Sequence, residues 1–322
     1  MQTTHTHSRL EHLPISLFAT VMGLAGLTIA TQKAEQAWGF DPLASNMLMF
    51  LSFAVYAVIF LAYFVKWIKY PLAVKEEFNH PIRMSFFPAS SIGLILLSMT
   101  IIHANQYLAF WLWAIGAVVQ MIFTLIILSH WIHHDKVQIQ RSTPAWFIPI
   151  VGNILVPLTG IELGYHEISW FYFSVGIIMW LPLQAILLNR FFFHPMMPAK
   201  LLPTLFILIA PPAVGFMSWL KLQNGDLDSE ARLLYYFSLF ITMLMMTQLK
   251  HFKKVSFALP WWAYSFPVAA ITIATFTMQE KIGGAFFSTL SVAMYIALVG
   301  LLAALVYKTI LAMLNYQICV PE

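Results

Sequence analysis

His130, His133 and His134 stand in an H-x-x-H-H spacing that could supply part of a metal ligand set. A dinuclear iron centre needs more ligands than one such box holds, and no second box occurs among His5, His7, His12, His80, His103, His166, His194 and His251. The trio lies beside Asp135 and Lys136 at the end of an apolar run, where solvated interfacial histidines are the ordinary explanation. Phosphate-binding glycine loops, zinc spacing and nucleophile elbows are missing. The lone Cys319 has no partner for a disulfide or a catalytic thiol pair. Neither an enzyme, a metal nor a cofactor is expected.

Physical gating is the chemistry that the aromatic residues offer. In Pro260-Trp261-Trp262-Ala263-Tyr264-Ser265-Phe266-Pro267 the second proline perturbs the backbone one turn back and can hold the Phe266 ring toward an axis. A ring in a narrow apolar pore blocks it sterically and by dewetting. Phe18, Phe86, Phe87, Phe147 and Phe206 occupy comparable positions near prolines, although among 27 phenylalanines most make lipid or core contacts. Phe266 is the candidate gate. Phe18, Phe87, Phe147, Phe206, Ser265 and Pro267 are candidate pore-lining residues.

The elements that must position these side chains are membrane spans. Sixty per cent of the 322 residues are hydrophobic, nine per cent are charged and the mean hydropathy is +0.78, which excludes a soluble domain with a polar surface. Apolar windows at 14–32, 44–66, 85–102, 106–128, 144–163, 167–189, 200–220, 229–249, 259–278 and 284–308 predict ten transmembrane helices, each near the roughly 20 residues a bilayer needs. They form one all-α domain over 14–308, between short tails at 1–13 and 309–322. Proline recurs at the start of every second window, at Pro14, Pro81, Pro144, Pro203 and Pro260, so the chain reads as five similar helical hairpins. Further prolines, at 88, 149, 157, 211, 212 and 267, fall in the odd windows, whereas Pro182 alone falls in an even one. Prolines often do no more than bend bundle helices. Their parity here predicts an inner ring of five kinked odd helices, where freed carbonyls face protein or water, inside an outer ring of five lipid-facing even ones.

Lysine and arginine divide 13 to 4 between the two sets of loops, which places both termini in the cytoplasm and the chain in the cell (inner) membrane. These basic residues are dispersed among short loops, so no nucleic acid partner is expected. No Asp, Glu, Lys, Arg or His falls at mid-depth of any window, which counts against a proton pump or a cofactor-bearing pore. The inner windows instead carry Ser16, Thr20, Ser85, Ser90, Ser91, Asn153, Thr159, Thr204, Ser218, Ser265, Thr272 and Thr275, which can solvate an ion weakly or simply pack helices. A passive conduit fits best.

The run 261–267, the motif His80-Pro81-Ile82-Arg83-Met84-Ser85-Phe86 and the motif Pro144-Ala145-Trp146-Phe147 closely resemble the ninth-, third- and fifth-span motifs of the plant slow-type (guard-cell) anion channels and their bacterial tellurite-resistance homologues. The resemblance extends from Pro14 to about Lys308. It implies five hairpins around a central pore, a gating phenylalanine that matches Phe266, homotrimers, and small inorganic or organic anions as the passing partners. Because the family also includes malate carriers and sulfite exporters, the alternative is a transporter of C4-dicarboxylates, sulfite or tellurite-related oxyanions; a metal-dependent membrane enzyme is the lower one. The long phosphorylatable termini of the plant channels are not seen, so kinase control of that kind is not expected.

Overall fold

The computed structural model describes residues 9–133, 138–252 and 255–320, and no strand occurs among them. In chain order the principal helices are α1 (Ile15–Trp38), α2 (Leu43–Lys69), α3 (Arg83–Ile101), α4 (Gln106–His133), α5 (Pro144–Gly160), α6 (His166–Phe193), α7 (Ala199–Leu222), α8 (Ser229–Thr247), α9 (Leu259–Tyr264 continuing into Ser265–Ile282) and α10 (Gly284–Leu314). Seven of them, α1 to α4, α6, α7 and α10, are long and apolar enough to cross a membrane. The other three are shorter or more polar. α5 is interrupted, α8 carries Glu230 and Arg232 near its start, and α9 ends in Gln279, Glu280 and Lys281. The chain is an all-helical, polytopic membrane protein.

Two classes of helix separate by burial. Within α1, α3 and α7, 78, 78 and 83 per cent of the most apolar stretch is buried; in α2, α4, α6 and α10 the shares are 11, 33, 39 and 22 per cent. Every residue of α5 is buried. Contacts run from α1 to α3, α3 to α5, α5 to α7, α7 to α9 and α9 back to α1, and each odd helix also packs on the even helix that follows it. The even helices expose large apolar side chains such as Phe60, Ile122, Ile178 and Phe286, the surface that lipid tails solvate.

Each odd helix begins as 3₁₀, at Ile15–Leu17, Arg83–Phe86, Pro144–Phe147, Ala199–Ile209 and Leu259–Tyr264. Proline explains the handover to α geometry, because its missing N–H and its ring are tolerated only in a helix's first turn. Pro88 is the N-cap of the α segment of α3, Pro211 stands in the first turn of that of α7, and Pro267 is the third residue of that of α9. In α5, Pro149 and Pro157 flank a second 3₁₀ turn, Gly152–Leu155. The carbonyls freed there are taken up by α4: Gln120 Nε2 donates to Pro149 O at 3.0 Å and Thr124 Oγ1 donates to the same oxygen at 2.7 Å. Asn153 Nδ2 closes the network on Thr124 Oγ1 at 2.9 Å, and Ser91 Oγ from α3 donates to Gln120 Oε1 at 2.8 Å. An unpaired carbonyl in a lipid environment costs several kcal/mol, so a lipid-facing helix that lends its buried amide stabilises the broken inner one.

α1 and α9 meet through small residues. A Cβ on Gly23 would lie 2.4 Å from Ser265 Oγ, and one on Gly26 would lie 2.7 Å from the Ala269 Cβ. Such close approach lets backbones share dispersion contacts where the hydrophobic effect is absent. Gly26→Ala is therefore expected to push α1 off α9 and to cost about 1–3 kcal/mol, by analogy with overpacked cores. Thermal unfolding of the detergent-solubilised protein measures it, and an unchanged midpoint would show that the interface yields freely.

On the face where the odd helices begin, helix ends extend past the apolar windows and carry charge inward. Lys66 of α2 and Glu77 of the short surface helix Pro71–Asn79 pair at 2.7 Å with side chains 3 and 5 per cent exposed. Glu77 also accepts from Ile15 N at 2.7 Å and from Tyr63 Oη at 2.9 Å, while Lys66 Nζ donates to Leu13 O at 2.7 Å. These bonds fasten the start of α1 to α2. Arg190 of α6 is likewise buried, and its guanidinium donates to Gln140 O and Pro195 O. In the sequence Glu77 and Arg190 fall in loops and Lys66 is the last residue of a window, because composition cannot show a helix running on to bury a paired charge.

Candidate functional site

Phe266 enters α9 one residue into its α segment, immediately before Pro267. It is 7 per cent exposed, and a Cβ on Gly26 would stand 3.6 Å from its Cδ2. The ring therefore lies on the bare backbone of α1, at the side where α9 closes the cycle of odd helices. Ser265 Oγ donates to Trp262 O at 2.6 Å, so this hydroxyl spends its proton on the preceding turn.

The other candidate phenylalanines face different neighbours. Phe18 meets Tyr56 and Tyr63 of α2 edge-on, with centroids 5.7 and 6.3 Å apart. Phe87 packs in the same manner on Phe78, on Tyr63 and on Phe123 of α4. Both rings thus have outer-layer partners. Phe206 of α7 contacts Tyr264 of α9 at 4.7 Å and Phe252 at 5.3 Å, and Phe147 of α5 is wholly buried.

Hydroxyls of the odd helices mostly point along their own helices. Thr20, Ser90, Thr204, Thr272 and Thr275 donate to carbonyls three or four residues back, at 2.6 to 2.8 Å. Ser218 Oγ instead donates to Ile154 O at 2.5 Å, tying α7 to α5. A hydroxyl whose proton is engaged offers an anion only lone pairs, so these groups hold the helices more than they coordinate.

At the opposite end the odd helices open into a cavity of about 960 Å³. Its wall takes residues from the final turns of all five, including Lys33, Thr100, Leu158, Lys221 and Glu280, together with His103, Glu162 and Lys281. Sequence reasoning missed this site, since Lys33, Lys221 and Lys281 lie in three separate loops and register there only as topology signals. The recurrence of Lys just past the end of three odd windows, at Lys33, Lys221 and Lys281, was the available signal. Of the histidine box, His133 Nδ1 lies 2.8 Å from Ser129 O, and His134 lies outside the described residues. Burial pushes the Cys319 thiol up, away from reactive thiolate.

Residues 12–310 match the family described as SLAC1, voltage-dependent anion channel. The chain belongs to this family. Among its relatives, the S-type anion channel SLAH2 of Arabidopsis thaliana is 29 per cent identical over 292 residues, covering 88 per cent of this chain and 56 per cent of that protein. The guard cell S-type anion channel SLAC1 of the same plant is 24 per cent identical over 97 per cent of this chain and 58 per cent of its own length. The tellurite resistance protein TehA homolog of Haemophilus influenzae is 25 per cent identical, covering 80 per cent of this chain and 79 per cent of that one. The chain spans little more than half the length of these two plant relatives, and the match covers the helices that build the closed cycle and the cavity.

Proposed function

We propose that this SLAC1-family chain is a passive channel that conducts small anions through the centre of ten membrane-crossing helices, arranged as five hairpins in pseudo-five-fold order. The observation that carries the proposal is the closed cycle of buried odd helices, all of which end in the wall of one cavity. Phe266 is the gate in this reading, because its ring lies between α9 and the glycine face of α1 just before a proline. The pore carries no fixed charge at mid-depth, so ions leave as readily as they enter, and lysines at the mouths concentrate anions nearby. The 13 to 4 division of basic residues puts both termini in the cytoplasm of the cell (inner) membrane. The single domain 14–308 assembles as homotrimers, as the family resemblance implies.

Purified protein in planar bilayers tests this directly. Under a chloride gradient the reversal potential is expected to follow chloride, with currents far above carrier turnover. A reversal potential that follows the cation, or slow saturable uptake of malate or sulfite with no measurable current, would replace the channel with the alternatives above.

A further inference from the structure

The cavity holds its lysines beside carboxylates, an arrangement that attraction of anions to a pore mouth does not by itself require. Lys33 Nζ at the end of α1 donates to Glu280 Oε2 of α9 at 2.9 Å. Lys221 at the end of α7 donates to Glu162 beyond α5, whose other oxygen lies 4.0 Å from His103 Nε2. Lys281 makes no ion pair among the described residues, yet its charge, with those of Lys33 and Lys221, acts on Glu280. The cavity's remaining carboxylate, Glu35, is 7 per cent exposed and accepts from Ser45 N at 3.0 Å, so it caps the positive N-terminal end of α2.

We propose that Lys33, Lys221 and Lys281 form an anion-binding site in which Glu280 and Glu162 are tethered carboxylates, displaced when a carboxylate or oxyanion arrives from solution. This rests on the reading that anions traverse the cavity. Three features support it. Two of the lysines, Lys33 and Lys221, already hold carboxylates, so the geometry suits that chemistry. Exposure of the partners, 32 and 52 per cent for Lys33 with Glu280 and 44 and 26 per cent for Lys221 with Glu162, makes these pairs weak and exchange cheap, unlike the shielded Lys66–Glu77 pair. With about half of the Glu35 charge offset by the N-terminus of α2, three lysines against three carboxylates leave the cluster slightly positive. Because the ammonium groups come from three helices, an anion with separated oxygens engages several at once, whereas a halide meets one that is screened by salt.

The test uses the full chain in detergent, with succinate and sulfate as probes against sodium chloride at matched ionic strength. Thermal-unfolding midpoints give the half-saturating concentration without requiring conduction. Glu280→Gln, which removes a tethered competitor, is expected to lower that concentration roughly fivefold, and Lys281→Gln to raise it roughly fivefold, the scale of one exposed ion pair. Lys221→Gln repeats the second arm should Lys281→Gln not fold. Opposite shifts from opposite charges distinguish a site from general loss of stability. Equal half-saturation in all variants, or an effect reproduced by chloride, would overturn the site even where currents flow. Charge-dependent succinate binding by a protein that passes no current would instead leave the site standing and remove the channel.

Discussion

Phe266→Ala is expected to increase chloride conductance by about tenfold or more, equivalent to removing at least ~1.4 kcal/mol from the barrier. The ring is 7 per cent exposed and rests on Gly26, so truncating it opens space between α9 and α1 instead of emptying a pocket in the outer layer. Pro267 stays in place, and with it the handover from 3₁₀ to α geometry at this position. A phenylalanine whose only role is packing behaves differently, because its loss leaves a cavity that costs about 3–5 kcal/mol in soluble cores. Currents and thermal stability recorded on one preparation separate the two. An unchanged current with a large loss of stability would reject the gate. Phe18→Ala is the control, since its ring is wholly buried against Tyr56 and Tyr63 of the outer layer and its loss is expected to lower stability without raising current.

Glu77→Gln is expected to lower stability by about 3–5 kcal/mol, because it strands the Lys66 ammonium with few polar partners. Lys66 is 3 per cent exposed, keeps Leu13 O as an acceptor and lies 5.1 Å from the Tyr63 ring centroid, too little to replace a carboxylate at 2.7 Å. The start of α1 is affected as well, since Ile15 N exchanges a charged acceptor for a neutral amide oxygen. Adding Lys66→Met to Glu77→Gln removes the stranded charge and is expected to recover most of the loss. Midpoints of the two single variants and the double variant form the double-mutant cycle. A Glu77→Gln cost below about 1 kcal/mol would mean that water reaches the pair as it does at a surface.

Several features of this protein are determined by local sequence. Long apolar runs have only one way to satisfy their backbone in lipid, so membrane helices follow from composition alone. The alternation of proline marks where odd helices begin, because proline fits a first turn and not an interior, and each of those helices does begin as 3₁₀. Motifs such as 261–267 are contiguous, so membership in the SLAC1 family was legible from three short segments and the match over 12–310 bears it out. What only the tertiary structure decided depends on residues far apart in the chain. Lys33 meets Glu280 across 247 positions, and the Ile15 amide meets Glu77 across 62. Local sequence also offered Phe18 and Phe87 as pore-lining candidates beside the candidate gate Phe266, yet the first two face outer-layer aromatics and the third lies on a glycine of the neighbouring inner helix. The rotation of a helix about its axis is set by what packs on every side of it. That information is spread over the whole bundle, so a pattern of prolines can say which helices are inside but not which of their side chains face the axis.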